Sequence, residues 1–267
     1  MKLTILGTGN AMVTECYNTC FSISDGKEHF LVDAGGGNTI LKQLKDAGID
    51  WREIKHIFVT HKHVDHILGV MWLVRIICQN MSMNNYEGDA YIYSHKEVIT
   101  IIRQMAGALL WEKHAAYLDK RLHLVEIEDG ECKEILGKKV YFFDIQSDKD
   151  IQFGFTMFLN EKEKLSCCGD EPFNEANKSW VQGSKWLLHE AFCLQKDAQK
   201  CKVYEKHHCT VKDACETAEK LEIENLLLYH TEDENLAERK KLYTQEGKKY
   251  FSGNLFVPDD LDVLTID

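Results

Sequence analysis

Residues 60 to 66 read Thr60-His61-Lys62-His63-Val64-Asp65-His66. His61, His63, Asp65 and His66 are all strong metal ligands. Neutral imidazole and carboxylate suit zinc and its first-row neighbours. At this spacing the alternate residues His61 and His63 can face one ion, and the adjacent pair Asp65 and His66 a second. The competing explanation is a surface loop that is His-rich by accident. With twelve His in 267 residues, such a density leaves little room for it.

Something must aim these side chains. The run Ile54 to Thr60 has the apolar, β-branched character of a buried strand, and Ile67 to Ile77 that of a buried helix. The ligands are therefore expected on a tight loop at a strand end, rigid enough to hold a geometry. Further strands are expected at Leu3–Leu6, Cys20–Ile23, Phe30–Asp33, Ala90–Tyr93, Leu122–Ile127, Val140–Ile145 and Phe153–Leu159. Leu165–Cys168, Trp186–Ala191, Asn225–Tyr229 and Asp262–Ile266 complete the set. Helical spacing marks residues 40–47, stopped by Gly48, and also Glu97–Leu110 and Val211–Leu221. Strands dominate with helices inserted at intervals. That pattern suits an α/β fold of two mixed sheets packed face to face with helices on the outer faces, an αββα sandwich. Gly7-x-Gly9 follows a strand, but position 12 is Met12, so no dinucleotide fingerprint is present.

Composition narrows the class. The chain has 267 residues, only two prolines and no linker, which points to a single domain over residues 1–267. No apolar segment approaches the length that spans a bilayer. The first residues are too short an apolar run for a signal peptide. The ten cysteines show no C-x-x-C spacing. Reduced thiols in a cytoplasmic protein are expected, none of them assigned to the metal. A net charge of −11, with lysines interleaved among acids from Lys196 to Lys249, argues against a nucleic-acid footprint.

Other segments carry a resemblance. Leu3 to Gly9 and Phe30 to Gly36, the histidine loop, Cys168-Gly169-Asp170 and Leu187-Leu188-His189-Glu190-Ala191 occur in the order found in the metallo-β-lactamase superfamily. His208-Cys209-Thr210 and Leu226 to His230 continue that order. The late segments resemble the His-Glu-Ala-Thr, His-Ser-Thr and final-His motifs of its ribonuclease Z and phosphodiesterase branch. The resemblance implies the αββα fold and a site of two Zn²⁺ ions, with Mn²⁺ or another divalent metal as a substitute. It implies that His61 and His63 bind one ion, that Asp65, His66 and His230 bind the other, and that Asp170 bridges them. Asp33 would orient a ligand.

The implied chemistry is metal-assisted hydrolysis. Two cations ~3.5–4 Å apart clamp the attacking and leaving oxygens of a displacement. Asp65 would act as base or orient the water, and His189 and Glu190 would serve the leaving group. His208 would bind a phosphate oxygen or assist that transfer. One departure stands out: the strand ending near residue 146 places Gln146 where the superfamily has a third His for the first ion. An amide oxygen is the weaker ligand, so that ion is expected to bind less tightly. The favoured substrate is a small-molecule or nucleotide-like phosphodiester, acted on by a homodimer. Ribonuclease Z activity on tRNA 3′ ends is the alternative. It is disfavoured by the acidic Glu232-Asp233-Glu234 after His230 and by the short span from Asp170 to His230, which leaves no room for a tRNA-gripping arm. A metal-impaired binding protein is the third reading.

Overall fold

The structure, a computed structural model, describes residues 1–267. The chain forms two compact units. The first comprises Met1–Gly7, Asn18–Ile127 and Leu261–Asp267, and the second Thr8–Tyr17 and Glu128–Asp260.

The first unit holds a seven-stranded sheet. Its strands are β1 (Lys2–Gly7), β2 (Cys20–Ser24), β3 (His29–Val32), β4 (Ile54–Phe58), β5 (Ala90–Ser94), β6 (Leu122–Glu126) and β14 (Val263–Thr265), in the order β14-β1-β2-β3-β4-β5-β6. Strands β14, β1, β2 and β3 pair antiparallel, and β3, β4, β5 and β6 parallel. Parallel neighbours need a crossover, usually a helix. These crossovers are α1 (Thr39–Asp46), α2 (Val64–Ser82) and α3 (Lys96–Leu109), followed by the short α4 (Glu112–Ala115).

Helix α2 lies close to the chain that follows β3. The Gly69 N–H donates to the Gly35 carbonyl (2.8 Å), and the Ala34 N–H to the His66 carbonyl (3.1 Å). A Cβ on Gly69 would sit 1.7 Å from the Ala34 oxygen, so only glycine permits this approach. Two parts of the candidate metal motif are thereby locked together: the turn after β3 and the start of α2.

The second unit repeats the plan. Strands β7 (Cys132–Ile135), β8 (Lys138–Asp144), β9 (Phe153–Phe158), β10 (Lys164–Cys167), β11 (Trp186–Glu190), β12 (Asn225–Tyr229) and β13 (Asn254–Phe256) form a second seven-stranded sheet in the order β13-β12-β11-β10-β9-β8-β7. Strands β7 to β10 pair antiparallel, and β10 to β13 parallel. Helices α5 (Lys178–Val181), α6 (Ala198–Cys201), α7 (Val211–Lys220) and α8 (Leu236–Gly247) lie in the parallel crossovers. Helix α7 buries Val211, Ala214, Cys215 and Ala218 against Leu187, Leu226 and Leu228 of β11 and β12. Its start carries a capping box, Thr210 with Asp213.

The main difference from the sequence expectation concerns the candidate ligands themselves. Helix α2 begins at Val64, with His63 as its N-cap residue. Asp65 and His66 therefore lie in the first helical turn, not on the loop. A carboxylate is favourable there because the helix N-terminus carries partial positive charge. Two strands, the four-residue helices α4, α5 and α6, and the longer α8 also lie outside the expected set. β7 is an edge strand of sequence Cys-Lys-Glu-Ile, β13 has three residues, and the inner face of α8 carries Arg239, which breaks the apolar pattern of a buried helix.

A ladder of rings crosses β4, β5 and β6. His56 lies 5.7 Å from Tyr91 and 5.9 Å from Tyr93, ring centroid to centroid, with Nδ1 3.0 Å from the Tyr93 hydroxyl. Burial, helped by the Lys55 charge, pushes the His56 imidazole down to about 4, from an ordinary 6.5. The unfolded chain takes up this proton near the ordinary value, and the folded chain only near 4. The folded state is thus favoured in full above about pH 6.5 and loses that advantage as the pH falls towards 4 and below. A His56→Phe variant is expected to flatten the acid limb of unfolding free energy by about 1–3 kcal/mol, measured by denaturant titration at stepped pH. An acid limb unchanged in that variant would show that His56 does not contribute to it.

Candidate metal centre and its supporting residues

In both units the candidate site residues follow the carboxyl ends of parallel strands. Asp33 follows β3, His61 follows β4 by a short segment, Asp170 follows β10, Glu190 ends β11 and His230 follows β12. Carboxyl ends of parallel strands are where open α/β sheets hold their ligands.

In the first unit the site is organised by Asp33, which is 3 % exposed. Its backbone is left-handed, φ +56°, a sparsely populated conformation for a non-glycine residue. Its Oδ1 accepts the Thr60 N–H (2.9 Å), and its Oδ2 accepts the Thr60 hydroxyl (2.8 Å) and His66 Nδ1 (2.7 Å). Because the Thr60 hydroxyl donates to Asp33, its oxygen accepts from His61 Nδ1 at 2.9 Å. Both imidazoles therefore carry their proton on Nδ1 and present a lone pair on Nε2, the form a metal requires. His61 Nε2 faces His63 Nδ1 at 2.8 Å, and His66 Nε2 lies 3.3 Å from Asp65 Oδ2. The His61 ring centroid is 4.4 Å from that of His63 and 4.2 Å from that of His66. His61, His66 and Asp65 are buried. Four donors thus converge in this unit.

The second unit contributes its own group. The ligand atoms of Glu190, His208 and His230 all lie within 4.8 Å of one another. Glu190 is fully buried, and its Oε1 accepts the Cys209 N–H (2.7 Å) while Oε2 lies 3.2 Å from His208 Nδ1. Burial holds the Glu190 carboxyl well above the usual carboxylate range, with His230 pulling the other way. Burial also pushes His208 down. Phe192 stacks on the His208 ring at 5.0 Å. His230 Nε2 lies 3.4 Å from Asp170 Oδ2. The turn that carries Asp170 is braced by the Tyr229 hydroxyl, which donates to the Gly169 carbonyl. A cavity of about 460 Å³ opens beside His208, with Gln146, Glu171, Phe173, Tyr204 and His207 among its walls.

Each sequence-selected residue now has a place. His61, His63, Asp65 and His66 are together in the first unit, and Asp170, Glu190, His208 and His230 in the second. His189 is not part of the second group. Neighbouring strand residues point to opposite faces, and Glu190 takes the face with His208 and His230. His189 instead donates from Nδ1 to the Glu190 carbonyl (2.8 Å) and lies 3.9 Å from Cys209 Sγ. Its Nε2 is buried without a hydrogen-bond partner, and burial pushes the imidazole down. Gln146 is exposed on the cavity wall, left-handed at φ +57°, with its N–H donated to Asp144 (2.8 Å). Thr60 was missed as a contributor, although its place directly before His61 was a signal. Nothing in the sequence pointed to Tyr229 as a brace.

These donors fit a divalent transition-metal ion. Imidazoles with Nδ1 engaged, together with nearby carboxylates, are the donor set such ions take. Among solved structures, the chain is similar to the metallo-β-lactamase fold protein YhfI from Bacillus subtilis, with a TM-score of 0.78 and 15 % identity over 98 % of each chain. It is also similar to the short form of human tRNase Z (TM-score 0.75, 20 % identity, all of both chains). A diphosphatase of the PhnP family is a further neighbour (TM-score 0.75, 17 % identity, 100 % of this chain and 98 % of that one). The protein has the metallo-β-lactamase fold and is a metal-dependent hydrolase. More narrowly, residues 1–251 match the family described as "Anti-Pycsar protein Apyc1", and the chain belongs to that family. Curated relatives include the ribonuclease Z of Thermococcus sibiricus, 25 % identical over all of this chain and 96 % of that protein. The ribonuclease Z of Parabacteroides distasonis is 23 % identical over 95 % of each.

The Asp33 network makes a specific prediction. Asp33→Asn keeps the shape but cannot accept from Thr60 and His66 in the same way. It is expected to weaken zinc binding about 10–100-fold, measured by competition with a chromophoric chelator. Wild-type affinity in this variant would show that Asp33 does not set the ligand tautomers.

Proposed function

We propose that this enzyme hydrolyses a small, nucleotide-like phosphodiester with two divalent ions, zinc in preference and manganese as a substitute. We further propose that the two units act as one metallo-β-lactamase domain. His61 and His63 would hold one ion, and Asp65, His66 and His230 the other, with Asp170 shared between them. The observation that carries this reading is the fixed Nδ1–H tautomer of His61 and His66, both traced to Asp33. When bound, the ions would acidify a water and take up charge on the phosphoryl oxygens.

The chain's own groups supply the remaining steps. Asp65 orients the attacking water and accepts its proton. His208 places a proton on the leaving oxygen, with its Nδ1 turned to Glu190 and its Nε2 to the substrate. Glu190 keeps that imidazole aimed. The leaving-group role falls to His208 because His189 lies apart from this group. The cavity of about 460 Å³ beside His208 supports a small substrate, since pockets for such ligands measure roughly 300–1,000 Å³.

The relatives named ribonuclease Z support the alternative of tRNA processing. A net charge of −11 and the acidic residues at 232–234 weigh against it, because they repel an RNA backbone. No helix is long and apolar enough to cross a membrane. All ten cysteines are free thiols, which supports a reducing cytoplasm.

Bis(p-nitrophenyl) phosphate, dinucleotides and cyclic nucleotides are the substrates to test. Hydrolysis is expected with Zn²⁺ or Mn²⁺ and is expected to vanish with chelator. His66→Ala and Asp170→Ala should each lose metal and at least ~100-fold in rate while remaining folded by circular dichroism. Unchanged metal content in both variants would overturn the ligand assignment. Clean 3′ cleavage of a tRNA precursor at physiological salt would favour the alternative.

We also propose a homodimer. Trp111, at the N-cap of α4, is 70 % exposed, Leu109 at the end of α3 67 %, and Trp72 in α2 39 %, exposed apolar side chains of the first unit. Met71, by contrast, is buried in the core. Sedimentation should show a dimer for the wild type and a shift towards monomer for Trp111→Glu. A wild-type monomer at micromolar concentration would contradict this.

A further inference from the structure

Arg239 is 1 % exposed and is among the largest fully buried side chains in the protein. A buried guanidinium persists only where several acceptors answer it. Its Nη1 donates to the Thr231 hydroxyl (2.7 Å) and the Thr8 hydroxyl (2.9 Å), and its Nη2 to the Pro258 carbonyl (2.8 Å). Asp259 Oδ1 lies 3.3 Å from the same Nη2. One planar fork therefore ties together three separate stretches of the second unit. A lysine ammonium at the same place could not span them.

The stretch that matters is Thr231. Its N–H donates to the Thr8 carbonyl (3.0 Å), and its carbonyl accepts the Asn10 N–H (3.0 Å) and the Asn10 side-chain amide (3.2 Å). The Thr8 hydroxyl in turn donates to Asp260 (2.8 Å). Every polar atom of Thr231 is thus engaged. The residue directly before it is His230, whose backbone is left-handed at φ +56°. A non-glycine residue stays in that conformation only when its surroundings impose it. The same turn carries the His230 ring off the end of β12 towards Asp170, 3.4 Å from its Nε2.

We infer that Arg239 is a positioning residue for the metal centre. Through Thr231 it holds the His230 backbone in the left-handed conformation that directs the imidazole towards Asp170. The inference rests on the reading of His230 as a metal ligand.

The test uses the full chain with five substitutions: Arg239→Lys, Thr231→Val, Thr231→Ser, His230→Ala for the ligand reading and, as a control in the same unit, Thr156→Val. Thr156 is 1 % exposed and bonds the Ser166 hydroxyl at 2.8 Å, on strands β9 and β10. Amide exchange of the metal-free proteins is read first. It should quicken at residues 8–10 and 230–231 in Arg239→Lys and Thr231→Val and nowhere near there in Thr156→Val. Zinc titration is read second. Arg239→Lys and Thr231→Val should lose about tenfold or more in affinity for one of two ions. Thr231→Ser, which keeps the hydroxyl, should bind both within about twofold of wild type, and the control should bind both normally whatever its loss of thermal stability. Should Arg239→Lys fail to fold, Thr231→Val carries the test. Both ions bound at wild-type affinity in Thr231→Val would overturn the inference. Normal binding of both ions by His230→Ala would overturn the ligand reading itself, and this inference with it.

Discussion

A single buried carboxylate sets the chemistry of the first unit. Asp33 has two oxygens and receives three hydrogen bonds, from the Thr60 N–H, the Thr60 hydroxyl and His66. Burying a charge is costly unless it is bonded in this way. The same bonds decide which nitrogen of two imidazoles keeps its proton. Aspartate, threonine and histidine thus form one relay that leaves a lone pair on Nε2 of each imidazole, facing His63 and Asp65. The surrounding fold serves that relay. β3 ends just before Asp33, β4 delivers Thr60 and His61, and the bare Gly69 lets α2 come close enough to bring His66 to the carboxylate.

The second unit solves a similar problem with different parts. Its sheet also passes from antiparallel to parallel pairing, and its candidate ligands also follow the parallel strand ends. The buried carboxylate there is Glu190, whose Oε1 accepts the Cys209 N–H and whose Oε2 lies 3.2 Å from His208 Nδ1. A left-handed residue sits in the candidate site of each unit, with Asp33 and His230 each at φ +56°. Such residues are held by what packs around them, here the buried Thr60 beside Asp33 and the buried Arg239 behind Thr231.

Much of this was legible in the sequence. The histidine loop announced itself by residue type and spacing, and the principal strands by apolar runs bounded by turns. Other features were not readable locally. The start of α2 at Val64 was hidden because His63, Asp65 and His66 look like loop residues, while their polar side chains serve the site and the helix end at once. β7 escaped because an edge strand exposes charged residues and loses its apolar signature. The face of β11 that His189 occupies depends on strand register, which short motifs do not reveal. Helix α8 buries a guanidinium where an apolar residue would be expected, so its inner face reads as solvated.

The most direct test of the account is anomalous X-ray diffraction at the zinc edge from crystals grown with zinc. The account predicts two peaks. One would lie on His61 and His63 and the other on Asp65, His66 and His230, with Asp170 a ligand to both. Zinc bound only at cysteines or surface acids, with His61 and His66 ligating nothing, would contradict it.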